Sequence, residues 1–245
     1  MPRIFLPESD LHSRLVTIRG EKARYLQTVL RCRHGEKLYI HDDKGNAYSS
    51  QITAVTAKEV TVELLEKMDH QAESPLRITL LQGLLKGEKM DLVIQKATEL
   101  GVREIVPVVT ERSQVRKTRK IGRWMKIAEE AARQSGRNSV PLVREAVDFG
   151  EIPDTSSEEG IIFWEQGGDS FSDALARFKG RACISLFTGP EGGFSEKEVV
   201  AAAGKGFLRA SLGRRILRAE TAAVAAVAVA QFALGDMGIS PGGAS

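Results

Sequence analysis

Apolar and polar positions follow two rhythms along this chain, and the switch between them divides it. Up to about residue 70 short strand-like runs recur at 3–6, 15–18, 37–41, 47–52 and 59–64, the last of them alternating polar and apolar positions. A period of two is that of a half-buried strand. Asp42, Asp43, Lys44, Gly45 and Asn46 lie between two such runs and mark a hairpin turn. One segment breaks the pattern. Residues 21–30 place Ala23, Leu26, Val29 and Leu30 at helical spacing. These elements predict a small barrel of about five strands. A polar link over 67–75, carrying Asp69, His70, Gln71, Glu73 and Ser74, is the candidate boundary between a domain over 1–70 and a second over 75–245.

Beyond Pro75 strand-like runs alternate with helical ones. Strands are expected at 76–81, 105–109, 160–164, 182–187 and 207–211. Helices are expected at 86–100, 121–135 and 172–178, after Ser195, and from Glu220 onward. Such alternation predicts an α/β domain with a mostly parallel sheet covered by helices. No internal repeat is visible. The tail after Gly235, with Gly238, Pro241, Gly242 and Gly243, is expected to fray.

Two segments of the second half carry the chemistry. The apolar run 182–187 breaks into Thr188, Gly189, Pro190, Glu191, Gly192, Gly193 and Phe194. The glycines permit positive φ and close approach of backbone to a ligand. Ser195 with Glu198 three residues later forms a capping box that starts a helix. The second segment runs from Leu212 and Gly213 through Arg214, Arg215, Ile216, Leu217, Arg218, Ala219 and Glu220 to Thr221 and Ala222. Glycine-rich turns between a strand end and a helix start are where α/β sheets bind small molecules.

Composition adds limits. The 245 residues are 42% hydrophobic and 27% charged, ordinary for a globular protein, and the net charge is only +3. A nucleic-acid surface must therefore come from clustering. One cluster exists: Arg112, Arg116, Lys117, Arg119, Lys120, Arg123 and Lys126, with no acidic residue among them, suits a phosphate backbone. Arg3, Arg24, Arg31 and Arg33 are candidates to extend it, and Gln134, Ser135, Gly136 and Arg137 form a helix end whose polar groups could face a base. Cys32 and Cys183 lie far apart and are read as free or buried thiols, consistent with a reducing cytoplasmic setting. The four histidines show no ligand spacing, and no metal site is expected. The N-terminus lacks the apolar centre of a signal peptide, and the apolar stretch 222–234 is too short to span a bilayer. Dinucleotide and Walker fingerprints, a nucleophile elbow and a Ser-His-Asp order are all missing. The residues alone stop at an α/β protein with a glycine-rich ligand loop and a basic track. An enzyme and a non-catalytic RNA-binding assembly factor both remain open.

The segments 188–194 and 212–222 resemble the signature of the RsmE family, small-subunit ribosomal RNA uridine N3 methyltransferases of the SPOUT superfamily. Residues 95–101, 110–113, 134–137 and 2–5 match as well, so the likeness covers nearly the whole chain. The resemblance implies a PUA-like β-barrel followed by a SPOUT domain with a deep trefoil knot. It also implies a homodimer, S-adenosylmethionine as cofactor, and 16S ribosomal RNA or the small ribosomal subunit as partner. The implied cofactor site comprises Glu165, Thr188, Gly189, Pro190, Glu191, Gly192, Gly193, Leu212, Gly213, Ile216, Leu217, Arg218 and Thr221. For catalysis Glu220 is the first candidate base and Glu191 the second, with Arg218 as oxyanion or phosphate partner. Glu220 could equally serve the helix dipole, and Glu165 could be a plain surface carboxylate. A SPOUT enzyme acting on transfer RNA or on a ribose hydroxyl is the competing enzymatic reading.

Overall fold

A computed structural model describes residues 1–68, 72–152 and 160–238. Asp69, His70 and Gln71 of the expected link, and the tail from residue 239, lie outside the described residues. The chain forms two compact units, Met1–Glu73 with Ala132–Val140, and Ser74–Ala131 with Pro141–Ser245.

In the first unit β1 (Arg3–Phe5), β2 (Leu15–Arg19), β3 (Lys37–His41), β4 (Ala47–Val55) and β5 (Glu59–Met68) form a sheet in the order β1-β3-β4-β5-β2. Every strand of it supplies the core: Ile4, Val16, Ile18, Leu38, Ile40, Ile52, Val60 and Val62 pack together with Ala23 and Leu26. The hairpin forms as its residues predict. Asp42 Oδ1 accepts from the amides of Lys44 at 2.9 Å and Asn46 at 2.7 Å, and Gly45 takes φ +85°. The expected helix over 21–30 differs. It is α1 (Gly20–Arg24) followed by a wider π turn, Tyr25–Val29, in which the Leu30 amide reaches back to the Tyr25 carbonyl at 3.1 Å. The extra residue per turn leaves Val29 in solvent while Leu26 and Leu30 still meet the core.

In the second unit the strands are β6 (Arg77–Gly83), β7 (Glu104–Val109), β8 (Leu142–Val143), β9 (Val147–Asp148), β10 (Gly160–Phe163), β11 (Asp169–Ser170), β12 (Cys183–Thr188) and β13 (Phe207–Ser211). Their order is β11-β13-β10-β12-β6-β7-β8, with β9 also on β7, and every pairing is parallel. The two-residue strands β8, β9 and β11 have no periodic signal in the sequence. The helices are α2 (Lys89–Glu99), α3 (Ile121–Ser135), α4 (Phe171–Ala176), α5 (Glu196–Gly204) and α6 (Ala219–Leu234). Central strands are buried along their length, as β10 and β12 show, because a parallel sheet is covered on both faces. Helix α6 packs on α2, β6, β12 and α4. Its one buried polar side chain, Gln231, accepts from Ser74 Oγ at 2.7 Å and donates to the Leu100 carbonyl at 2.9 Å. Among the described residues no helix is long and apolar enough to cross a membrane.

Candidate functional site

Strands β13, β10 and β12 are neighbours, run in one direction and end nearly level: Ala210 pairs with Phe163, and Ile162 with Phe187. The loops that leave their carboxyl ends therefore emerge side by side, although about 50 residues of chain separate the first from the last. These loops enclose a cavity of about 340 Å³, within the size range of small-molecule sites.

The middle loop is built from below. Phe194, 1% exposed, lays its ring on Phe187 at 4.7 Å and 70°, so the loop closes back onto the end of its own strand. The Gly193 amide donates to the Pro190 carbonyl at 2.9 Å, and Gly193 holds φ +67°. A Cβ on Gly193 would stand 3.0 Å from Glu165 Oε1, and one on Gly192 would stand 2.9 Å from Arg112 Cβ. The expected capping box then starts α5. The Ser195 amide donates to Glu198 Oε2 at 2.9 Å, and Glu198 Oε1 accepts from the Glu111 amide at 2.7 Å. That second bond ties the loop after β7 to the loop after β12.

The cavity brings together Glu165, Thr188, Gly189, Pro190, Glu191, Gly192, Gly193, Leu212, Gly213, Ile216, Leu217, Arg218 and Glu220. Thr221 is the exception: one position into α6, it is exposed and does not line the cavity. Glu165 is exposed and lies beside Gly193 at the cavity wall. The lining also includes Lys89, Phe163, Trp164, Phe194, Ser211 and Arg215, none of which the sequence had named for the cofactor site. Lys89 had only the look of a solvated helix residue; the cavity lies where the first turn of α2 approaches Glu191.

Three lining residues also carry a buried polar atom with no hydrogen-bond partner among the described residues: Trp164 Nε1, Glu191 Oε2 and Glu220 Oε2. Leaving such atoms unpaired is costly. The two carboxylates differ. Glu191 Oε1 accepts from the Lys86 amide and from Lys89 Nζ, both at 3.1 Å. Burial pushes the Glu191 carboxyl up, but its own amide, the Lys86 amide and the Lys89 ammonium outweigh burial and hold it below the usual carboxylate range. The Glu220 carboxylate sits in the first turn of α6.

The basic track is partly committed to the protein itself. Arg112 Nη1 donates to the Gly192 carbonyl at 3.1 Å, Arg116 to the Glu111 carbonyl at 2.8 Å, and Lys120 to the Gly87 carbonyl at 3.2 Å. Arg123 pairs with Asp91 at 2.6 Å. Lys117 and Arg119 are exposed. In the first unit the Arg3 guanidinium lies over Gly136, whose Cβ position would be 2.4 Å from Nη1. Arg137, expected on an RNA-facing surface, is instead 3% exposed and paired with Glu73 at 2.6 Å. A guanidinium so enclosed cannot present itself to a phosphate backbone.

The chain is similar to known proteins over most of its length. A family described as RNA methyltransferase domain matches residues 72–231, and one described as RNA methyltransferase PUA domain matches residues 18–65. Ribosomal RNA small subunit methyltransferase E of Synechocystis sp. is 34% identical, over 92% of this chain and 76% of that protein. The protein of the same name from Buchnera aphidicola subsp. Acyrthosiphon pisum is 32% identical, over 96% of this chain and 95% of its own. A crystal structure of ribosomal RNA small subunit methyltransferase E from Neisseria gonorrhoeae, bound to S-adenosyl methionine, is 37% identical with a TM-score of 0.88, covering 97% of this chain and 99% of that one. A Legionella pneumophila protein in complex with the bound cofactor SAM is 34% identical with a TM-score of 0.85, covering 96% and 98%.

Proposed function

This chain belongs to the RNA methyltransferase family that includes ribosomal RNA small subunit methyltransferase E, and from that membership we propose that it methylates N3 of a uridine in 16S ribosomal RNA, using S-adenosylmethionine. The observation that carries this reading is the convergence of three backbone loops on one cavity of small-molecule size. S-adenosylmethionine suits such a lining. Its adenine, ribose and amino-acid parts offer both donors and acceptors, and the glycines of 188–193 and Gly213 let the backbone approach it. Bound there, it supplies an electrophilic methyl group on a sulfonium sulfur.

What the chain itself must do is align the uracil ring and take the N3 proton. Glu220 is the base in this proposal. It lines the cavity from the first turn of α6, and in this role its carboxylate accepts the N–H of N3 and then the proton itself. Glu191 is the weaker candidate, because the Lys89 ammonium and two amides stabilise its ionised form and lower its basicity. It serves better as a fixed anionic acceptor for donors of the ligand. Arg218, exposed at the start of α6, meets the oxygen charge that develops on the uracil or a neighbouring phosphate. The other loop residues named above bind the cofactor, with Thr221 set aside.

Arg112, Arg116, Lys117, Arg119 and Lys120 would follow the RNA backbone, with Arg3 and the PUA-like unit, residues 1–70 in this division, holding a further stretch of RNA. The SPOUT unit then begins near residue 75. The passage from β13 through 212–218 into α6, which returns to β12 and β6, is where the trefoil knot would be tied. Ile216 is 86% exposed and Phe232 68% exposed, and such apolar side chains favour a second copy as cover, hence a homodimer. A ribosomal substrate favours a cytoplasmic location.

Mass spectrometry of nucleosides tests the assignment. Ribosomal RNA from a strain lacking this gene should lose one 3-methyluridine, restored by the purified enzyme with S-adenosylmethionine. Retention of that nucleoside, with loss instead from transfer RNA or of a ribose methyl, would replace the reading by the competing one.

A further inference from the structure

We propose that Gln82 is a positioning residue for the cofactor loop 188–193. The case begins where two parallel strands run out. The pairing of β6 with β12 ends at Gln82 and Thr188. No further rung can form beyond it, because Pro190 has no N–H. The chains are also too close there for a side chain: a Cβ on Gly83 would stand 2.5 Å from Pro190 N and 2.8 Å from the Gly189 carbonyl carbon.

The Gln82 side chain, 0% exposed, takes over where the ladder stops. Its Nε2 donates to the Gly83 carbonyl at 2.9 Å and to the Gly189 carbonyl at 3.2 Å. Its Oε1 accepts from Thr188 Oγ1 at 2.7 Å. Both amide hydrogens are used, and the orientation of the amide is unambiguous, since two carbonyls can only accept. One side chain thus fixes the strand end, the first peptide plane of the loop and the Thr188 hydroxyl.

It also reassigns Thr188. That residue lines the cavity, yet its hydroxyl is committed to Gln82, so it meets a ligand through its backbone and methyl group. Gln82 itself is absent from the cavity wall and acts only through the loop.

The inference rests on the reading of 188–193 as a cofactor loop, and the test separates the two. Isothermal titration of S-adenosylmethionine is run on the full chain, on Gln82→Met, on Thr188→Val and on Thr188→Ser. Binding by the unsubstituted chain is expected, and its absence would overturn the loop reading and the inference with it. Gln82→Met should weaken binding about tenfold, equivalent to about 1.4 kcal/mol. In steady-state kinetics KM for the cofactor should rise while KM for RNA stays level. Thr188→Val, which keeps the methyl group and loses the hydroxyl, should weaken binding in the same direction, and Thr188→Ser, which keeps the hydroxyl and loses the methyl group, should lie nearer the parent than Thr188→Val does. A folded Gln82→Met that binds within about twofold of the parent overturns the proposal. If Gln82→Met does not fold, a folded Thr188→Val with parental affinity does the same.

Discussion

Glu73 gathers four donors onto one carboxylate: Arg137 Nε at 3.2 Å and Nη2 at 2.6 Å, and the amides of Asn138 at 3.0 Å and Ser139 at 3.2 Å. The Arg137 side chain is 4% exposed and that of Glu73 28%. Burial alone would raise the Glu73 carboxyl, but Arg137 and the Ser139 contacts outweigh it and hold it below the usual range. Glu73→Gln keeps the shape and deletes the charge that the buried Arg137 guanidinium meets at 2.6 Å. Breaking such a pair costs about 3–5 kcal/mol, and the lower end applies because the Gln carbonyl keeps some of the bonds. The pH dependence has a definite sign. A folded-state value below the unfolded one means that the stabilisation is complete above about pH 4.3, the ordinary Glu value, and is lost as pH falls through the folded value. The gap between parent and variant should therefore be full at neutral pH and close in acid. The chain supplies its own probes. Tyr25, Tyr39 and Tyr48 all lie in the first unit, and Trp124 and Trp164 in the second. In urea at neutral pH the tyrosine absorbance transition of Glu73→Gln should move down by roughly 1–3 M, from about 3 kcal/mol and an ordinary urea slope of about 1–3 kcal/mol/M. An unmoved tyrosine midpoint, or a gap that widens in acid, would refute the reasoning.

Two further outcomes are expected. Glu220→Gln should lower turnover by about 10²-fold or more, the scale of general-base catalysis, while the affinity for S-adenosylmethionine measured by titration stays near the parent's; unchanged turnover at normal affinity removes Glu220 as the base. Gln231→Leu removes two hydrogen bonds of the second unit, from Ser74 Oγ and to the Leu100 carbonyl, while Ser74 Oγ keeps the Leu76 amide; this should cost about 1–3 kcal/mol and appear in the tryptophan fluorescence transition, with the tyrosine transition unmoved.

The parts of the site that depend on nearest neighbours could be read directly. The Ser195–Glu198 capping box and the Asp42 turn close within three or four residues, so residue type and spacing suffice. The glycines of 188–193 declared a loop for the same reason. Other features had no local signal. Lys89 reaches Glu191 across 102 positions, Gln82 reaches Thr188 across 106, and Arg137 meets Glu73 across 64. In the sequence Arg137 is one more basic residue near a basic block; only packing shows that it is enclosed. The π turn after Arg24 likewise escaped periodicity, because one inserted residue shifts Val29 off the apolar face without disturbing Ala23 or Leu26.

By itself, the order of residues determined the alternation of strands and helices, their capping, the two glycine-bearing loops and the family they belong to. These follow from backbone preferences and side-chain periodicity over one or two turns of chain. Only the tertiary structure decided that β10 lies between β12 and β13, and this placement alone puts three distant loops at one edge of the sheet. Strand order is set by which apolar faces can be buried together across the whole domain, a sum over contacts far apart in the chain. No local window contains it, and the cavity exists only once that sum has been made.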